Sequence, residues 1–281
     1  GVYANKSINF SVAEGEIHAL VGENGAGKST LMKILFGMEK PSQGEILFKG
    51  EKVIFHSPQD AMKLGIGMVH QHFKLVDSLS ITENAAMGYE PLKHGLIDRK
   101  AAREKVAEIS KVFELKEDLD TPVEKLPVGT KQKVEIIKAM YRGARILILD
   151  EPINGLDPIG IAEVRDFIRE LCDTSGKTIL ISSHILSEIS LLADDVGIID
   201  HGKLLEEESL KELEAKNAKF IHFCVSDAQK AAKIIAATFH SKDFRLTDAN
   251  NLYLYDMTLP VERINRSFVE SGIEIQEVHL C

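Results

Sequence analysis

The residues best suited to chemistry form a glycine-rich stretch near the start of the chain. Gly22, Gly25 and Gly27 precede Lys28 and Ser29, in the spacing G-x-x-x-x-G-K-[ST] that cradles nucleotide phosphates. Glycines let backbone N–H groups converge on phosphate oxygens, and a helix N-terminus adds its dipole. We predict that Lys28 supplies a positive charge to the β- and γ-phosphates and that Ser29 offers its hydroxyl to Mg²⁺. The predicted phosphate-binding residues are Gly22, Asn24, Gly25, Ala26, Gly27, Lys28, Ser29 and Thr30.

A pair of carboxylates follows an aliphatic run that is typical of a buried parallel strand. Ile146–Leu149 leads directly into Asp150 and Glu151, and a carboxylate in that place beside a phosphate loop completes a nucleotide site. We predict that Asp150 holds Mg²⁺, directly or through water. We expect Glu151 on the other side of the strand's pleat, where it would polarise the attacking water. The alternative for such a dipeptide is a plain turn or helix start.

The elements that must position these residues alternate between strands and helices. The segment 16–21 predicts a strand that runs into the glycine-rich loop, and 28–38 predicts a helix. Two further buried strands are predicted over 177–182 and 196–199, which gives an α/β core with a parallel sheet. A helical insertion, about 75–145, separates the two halves of this core, and a hairpin is predicted over 45–55.

The pattern changes after residue 205. The charged segment 206–217 predicts a linker helix. Residues 218–281 follow the order β-α-β-β-α-β, which is the ferredoxin-like α+β arrangement. The sequence therefore predicts a nucleotide-binding domain over 1–205, the linker helix, and a small accessory domain over 218–281.

Composition limits the class of protein. A chain of 281 residues can hold one large and one small domain. It has no run of 18 apolar residues, and we expect neither a membrane span nor a signal peptide. The net charge of −9 argues against nucleic acid as the main partner. The three cysteines are far apart in the sequence, which suits a reducing cytoplasm and a structural role for each thiol.

Six short motifs, in this order along roughly residues 1–205, together resemble the nucleotide-binding domain of ABC transporters. Each motif is weak by itself, but the ordered set is specific. The motifs are the phosphate loop at 22–30, Gln71 within 68–72, the segment 126–132, Asp150 with Glu151, Gly155–Asp157, and His184 after two serines.

The resemblance implies a P-loop NTPase core of ABC type that binds ATP and Mg²⁺. Gln71 would sense the γ-phosphate and Mg²⁺, and His184 would contact the γ-phosphate and orient the water. Asp157 would lie at the seam of a dimer. The segment 126–132 would be the signature loop that completes the ATP site of a partner subunit, with Val128 and Gly129 as its contact residues.

These expectations define a function and two rivals. We expect an ATP-hydrolysing subunit that works as a dimer, with a homodimer favoured, beneath a separate transmembrane permease at the cytoplasmic face of the cell membrane. One rival is a soluble ABC-type ATPase without a pore. The other is a nucleotide-dependent regulatory module without turnover, against which intact Lys28, Asp150, Glu151 and His184 argue.

The two halves of the chain are similar to different branches of the family. Segments 65–72 and 134–143 look like ATPases of nucleoside and simple-sugar importers. Segments 153–160 and 182–188, together with the C-terminal domain, look like ATPases of bacitracin- and lantibiotic-type exporters. The change falls near residues 149–152, which both branches share, so the chain could be a recombinant or a composite.

Two positions depart from the family's usual pattern. The signature loop usually carries a serine where this chain has Pro127, so a hydroxyl and a backbone N–H are lost. The family's domain also begins with a further strand and an aromatic residue that stacks on adenine. Tyr3 is the nearest aromatic here, and we do not expect it to substitute. The departures predict weaker ATP-driven dimerisation and weaker ATP binding.

Overall fold

The protein forms two compact units, Gly1–Leu210 and Lys211–Cys281. A computed structural model describes residues 4–112, 115–210, 212–213 and 220–280, with the side chain of Val112 left aside. Each unit has its own hydrophobic core.

The first unit is built on a six-stranded sheet with the order β10-β9-β1-β8-β7-β4. All neighbours in this sheet are parallel except β10, which runs antiparallel to β9. The central strands β1, β7 and β8 consist almost entirely of buried residues, as expected for strands covered on both faces. The strands are β1 Ile17–Val21, β2 Ile46–Phe48, β3 Glu51–Val53, β4 Ile66–Val69, β5 Leu92–Lys93, β6 Leu96–Ile97, β7 Ile146–Asp150, β8 Thr178–Ser183, β9 Asp195–Asp200 and β10 Lys203–Ser209.

Three helices of this unit, α3, α4 and α5, lie in the predicted helical insertion and pack against one another. Ser80 begins α3 with a capping box, since its hydroxyl accepts the Glu83 N–H and the Glu83 carboxylate accepts the Ser80 N–H. The helices are α1 Lys28–Leu35, α2 Pro58–Lys63, α3 Ile81–Ala86, α4 Arg99–Val112, α5 Val128–Tyr141, α6 Pro158–Ser175 and α7 Leu186–Ile189.

The parallel register brings the loops that follow β1, β4, β7 and β8 to one edge of the sheet. Val69 is level with Leu149, and Asp150 is level with Ser182. Val21, the last residue of β1, is level with Ser183. The phosphate loop, the two carboxylates and the His184 segment therefore meet at this edge, which is where open α/β sheets bind ligands.

The predicted linker helix is wrong over residues 206–209. These residues belong to β10, an edge strand that pairs with β9 and has a register shift between Leu204 and Glu206. A charged sequence suits an exposed sheet edge, which explains why charge alone did not distinguish strand from helix. Residues 210, 212 and 213 are helical, and the remainder of the predicted linker lies outside the described residues.

The second unit confirms the predicted β-α-β-β-α-β order. Its four strands form an antiparallel sheet with the order β12-β13-β11-β14. Phe223 and Phe268 are fully buried in its core, with ring centroids 5.4 Å apart. The elements are β11 Ile221–Val225, α8 Ala228–Thr238, β12 Phe244–Leu246, β13 Asn251–Leu254, α9 Val261–Glu270 and β14 Ile275–Leu280.

Candidate nucleotide site

The glycine-rich loop lies where the sequence places it, between the end of β1 and the start of α1. Gly25 and Gly27 take the left-handed φ values of 87° and 105°, which glycine adopts without strain. A Cβ on Gly22 would overlap the carbonyl oxygen of Ile199. The loop is further held by the N–H of Gly202, which donates to the carbonyl of Ala26 at 2.9 Å. The backbone is thus shaped as a phosphate cradle requires.

Lys28 is buried at the first turn of α1, with 4% of its side chain exposed. Its ammonium donates to the carbonyl oxygens of Gly22 at 2.6 Å and Glu23 at 3.1 Å. It also lies 3.3 Å from Oε1 of Glu151. The lysine therefore joins the loop to the end of β7, so a single cation faces both parts of the predicted site.

Asp150 is buried at the last position of β7 and receives two hydroxyl groups on the same oxygen. Ser29 donates to its Oδ1 at 3.1 Å, and Ser182 donates to the same atom at 2.7 Å. The contact with Ser29 brings together the two residues that the sequence predicts, separately, to bind Mg²⁺. The contribution of Ser182 was not predicted, because it depends on the register between β7 and β8.

Glu151 does not continue the pleat of β7, so the predicted placement on the strand's other side is wrong. The strand ends at Asp150, and Glu151 adopts a left-handed φ of 51°. Its Oε2 lies 2.7 Å from Nδ1 of His184, and only 6% of its side chain is exposed. With this turn, the Glu151 carboxylate lies between the Lys28 ammonium and the His184 ring. We call the cluster of Lys28, Ser29, Asp150, Glu151 and His184 the carboxylate edge.

Four other predicted residues lie outside this cluster. Gln71 is exposed, two residues beyond the end of β4. Val128 is 48% exposed at the start of α5, while Gly129 is buried close to Gly160 of α6. Asp157 is the N-cap of α6, where its carboxylate accepts the Gly160 N–H at 2.9 Å. Among the described residues, no hydrogen bond or ion pair joins these four to the carboxylate edge.

Three further residues of the predicted phosphate-binding set differ in their exposure. Asn24 is exposed at the tip of the phosphate loop, Ala26 is buried beneath it, and Thr30 is half-buried in α1. Tyr3 lies outside the described residues.

A groove beside α5 was not predicted from the sequence. It encloses about 220 Å³, and His70, Lys74, Glu135, Lys138 and Arg142 contribute its polar lining. The Lys138 ammonium donates to the Lys74 carbonyl at 2.6 Å, and the Glu135 carboxylate accepts the Lys74 N–H. Burial raises the pKa of Glu135 and lowers the pKa of Lys138. We call this feature the α5 groove.

Comparison with known proteins decides the family. The profile of the ABC transporter family matches residues 5–154, which include the phosphate loop, the start of α5 and both carboxylates. This chain belongs to the ABC transporter family.

Both suspected resemblances are confirmed among curated relatives of this ABC chain. The nucleoside import ATP-binding protein NupA of Lactococcus lactis is 45% identical over 207 residues, covering 74% of this chain and 41% of NupA. The bacitracin transport ATP-binding protein BcrA of Enterococcus faecalis is 35% identical over 272 residues, covering 97% of this chain and 85% of BcrA. The chain thus spans about two fifths of the first relative and most of the second.

Solved structures agree with the fold of the ABC chain. A dimeric ATP-binding cassette in a post-hydrolysis state, bound to ADP and Pi, superposes with a TM-score of 0.63 and 26% identity. The match covers 74% of this chain and 91% of that cassette. The predicted P-loop core of ABC type is therefore confirmed. None of the helices in the described part of the chain is long and apolar enough to span a bilayer.

Proposed function

We propose that this chain binds and hydrolyses ATP as the energy-supplying subunit of an ABC transporter. The observation that carries the proposal is the carboxylate edge, where Lys28, Ser29, Asp150, Glu151 and His184 meet although they come from three separate stretches of sequence. The names of the relatives, which concern nucleoside import and bacitracin transport, support a role in transport.

The phosphate side of the site fits ATP and Mg²⁺. Gly25 and Gly27 have left-handed φ values in the loop that leads into α1. The N–H groups of the loop and of the helix start can therefore bind phosphate oxygens, which the helix dipole also favours. The Ser29 hydroxyl and the Asp150 carboxylate form a pair of oxygen ligands, 3.1 Å apart, of the kind that Mg²⁺ prefers. These two residues would hold Mg²⁺, whose charge would offset that of the phosphates. Lys28 would leave its loop carbonyls to bind the β- and γ-phosphates.

The hydrolytic side consists of Glu151, His184 and Gln71. Glu151 would accept the proton of the attacking water, since its carboxylate directly follows the proposed metal ligand Asp150 at the end of β7. His184 lies 2.7 Å from the same carboxylate. By the family resemblance it would contact the γ-phosphate and orient the attacking water. Gln71, which follows the neighbouring strand β4, would report on the γ-phosphate and Mg²⁺.

The other predicted residues suit a dimer with two composite sites. Val128 is exposed at the start of α5, where N–H groups of a helix end could receive the γ-phosphate held by a second subunit. Asp157 begins α6, and Gly129 lies against that helix. The dimeric post-hydrolysis cassette supports pairing of this kind. We propose a homodimer that docks on a separate transmembrane subunit at the cytoplasmic face of the membrane.

The second unit is proposed to be an accessory domain without a role in nucleotide binding. The bacitracin transport protein matches 97% of this chain, so its similarity extends into this unit. Ending the chain after Leu210, where the first compact unit ends, should leave ATP affinity unchanged by calorimetry. A folded but nucleotide-free truncated protein would refute this division.

Phosphate release by the purified chain tests the central proposal. We expect Mg²⁺-dependent release of phosphate from ATP, and Lys28→Ala should remove it. ATP binding without turnover would favour the regulatory-module rival. Turnover without a membrane protein that co-purifies from its own cells would favour the soluble ATPase.

A further inference from the structure

Ser182 connects the two carboxylates of the site through a single hydroxyl. The residue is fully buried near the end of β8, level with Asp150 of β7. Its Oγ donates to Asp150 Oδ1 at 2.7 Å and accepts the Glu151 N–H at 3.0 Å. A serine hydroxyl has one donor and two acceptor positions, so one group satisfies both contacts.

The contact with Glu151 acts at the place where the backbone leaves the strand. A φ of 51° is uncommon for a residue other than glycine. The Glu151 N–H is shared between the Ser182 hydroxyl at 3.0 Å and the Ser182 carbonyl at 3.2 Å. Two acceptors from one residue therefore fix the turn that directs the Glu151 carboxylate toward His184.

The contact with Asp150 orients the other carboxylate. Oδ1 receives both the Ser182 and the Ser29 hydroxyl groups. Within the described ranges, no hydrogen bond reaches Oδ2 of Asp150. The two hydroxyls therefore hold the Asp150 carboxylate in one orientation, and its Oδ2 is left available to a metal ion.

We propose that Ser182 is a positioning residue that sets the geometry of Asp150 and Glu151 together, so that the metal ligand and the base are aligned by the same hydroxyl. The inference rests on the proposed ATPase function.

Three substitutions separate this role from packing. Ser182→Ala removes the hydroxyl, while Ser182→Cys nearly keeps the volume but offers only a weak donor. Ser183→Ala is the matched control, because Ser183 is equally buried on the same strand and its hydroxyl accepts only the Ile185 N–H among the described contacts. We expect both Ser182 variants to lose about 10- to 100-fold in kcat, as hydrogen bonds to charged groups are the strong ones. Ser183→Ala should stay within about threefold of the unaltered chain, since its hydroxyl reaches neither carboxylate.

Two further measurements separate a loss of folded protein from a change in the geometry of the site. The stoichiometry and affinity of ATP binding without metal should be unchanged in all variants. Binding of Mn²⁺ in the presence of ADP, followed by electron paramagnetic resonance, should be weakened several-fold in Ser182→Ala and Ser182→Cys only. Equal kcat in Ser182→Ala and Ser183→Ala, or unaltered Mn²⁺ affinity, would overturn the proposal.

The same design keeps the two proposals apart. If the unaltered chain releases no phosphate, the ATPase proposal fails, and the Mn²⁺ measurement still tests Ser182. If the unaltered chain is active and the Ser182 variants equal the Ser183 control, the inference about Ser182 fails alone.

Discussion

The carboxylate edge and the start of α5 would both face ATP, yet the chain completes only the first. At the carboxylate edge, Lys28, Asp150 and Glu151 are buried and each has charged or hydroxyl partners from other strands and loops. At the start of α5, Pro127 is the N-cap and no side chain of the described residues caps the helix, while Val128 remains exposed. If the proposed function is right, the geometry of the hydrolytic site is set within one chain, whereas the start of α5 would act only when it faces the nucleotide of a second subunit.

The substitution with the largest expected effect on the carboxylate edge is Glu151→Gln. The substitution keeps the shape of the side chain and its contact with His184 but removes the proton acceptor. We expect ATP binding to persist and turnover to fall by about 10²–10⁴-fold, the usual contribution of a general base. A phosphate-release assay would show the loss of turnover, and gel filtration in the presence of ATP would show the protein held as a closed dimer.

A control for Glu151→Gln is Glu104→Gln on the exposed face of α4, where the glutamate pairs only loosely with Lys100 at 3.9 Å. It should hydrolyse ATP at the normal rate. Normal turnover in Glu151→Gln itself would show that another group accepts the proton, and the assignment of the base would have to be abandoned.

Pro127→Ser tests the start of α5. A serine would restore a hydroxyl and a backbone N–H at the start of α5, where both could reach a phosphate across the dimer. A hydrogen bond to a charged group contributes about 1.5–3 kcal/mol, which corresponds to about 10- to 150-fold in dimer affinity. We expect Glu151→Gln/Pro127→Ser to dimerise at lower ATP concentrations than Glu151→Gln, as measured by light scattering.

Pro127→Ala serves as the control for Pro127→Ser, because it restores the N–H without the hydroxyl and should give an intermediate affinity. Superimposable dimerisation curves for proline and serine would mean that the remaining N–H groups of α5 suffice. The signature loop would then work without its serine.

Substitutions of Asp157 separate its role as the N-cap of α6 from its proposed role at the dimer seam. Asp157→Ala loses the bond to the Gly160 N–H, which should lower the free energy of unfolding by about 1 kcal/mol. Asp157→Asn can still cap the helix, so its stability should change little. We expect Asp157→Asn nevertheless to weaken ATP-driven dimerisation, because a contact at the seam would need the charge.

The second unit offers a matched control for Asp157. Asp227 is the N-cap of α8 and accepts the Lys230 N–H at the same distance, 2.9 Å. Asp227→Ala should destabilise by a similar amount and leave dimerisation unchanged. If Asp157→Asn dimerises as well as the unaltered chain, Asp157 is a cap and no seam residue.

The sequence predicted the parts of the site that depend on local spacing. The phosphate loop, the end of β7 and His184 could be found because each follows a strand at a fixed distance. The left-handed turn at Glu151, the role of Ser182 and the α5 groove could not, because they depend on strand register and on contacts between residues distant in the chain. Strand β10 was missed for a related reason, since its charged residues only become an edge strand by pairing with β9.

A modest change in the pH dependence of stability is expected from His70, which lies in the α5 groove and follows β4. Burial lowers the pKa of its imidazole, and the charges of Lys74, Lys138 and Lys33 lower it further, while Asp150 raises it. Because the pKa in the folded protein lies below that in the unfolded chain, the stabilising contribution of neutral His70 is present above about pH 6.5. It is lost as the pH falls through the lower, folded value.

We therefore expect the free energy of unfolding to fall less steeply below pH 6.5 in His70→Gln than in the unaltered chain, as measured by denaturant titration at several pH values. His72→Gln, two residues further on and exposed, is the control and should follow the unaltered curve. Glu135 acts in the opposite direction, since its raised pKa makes protonation below that pKa stabilising. The quantity to compare is therefore the difference in unfolding free energy between each variant and the unaltered chain at each pH. Parallel curves for all three proteins would show that His70 titrates alike in the folded and unfolded chain, and the α5 groove would then have no influence on its charge.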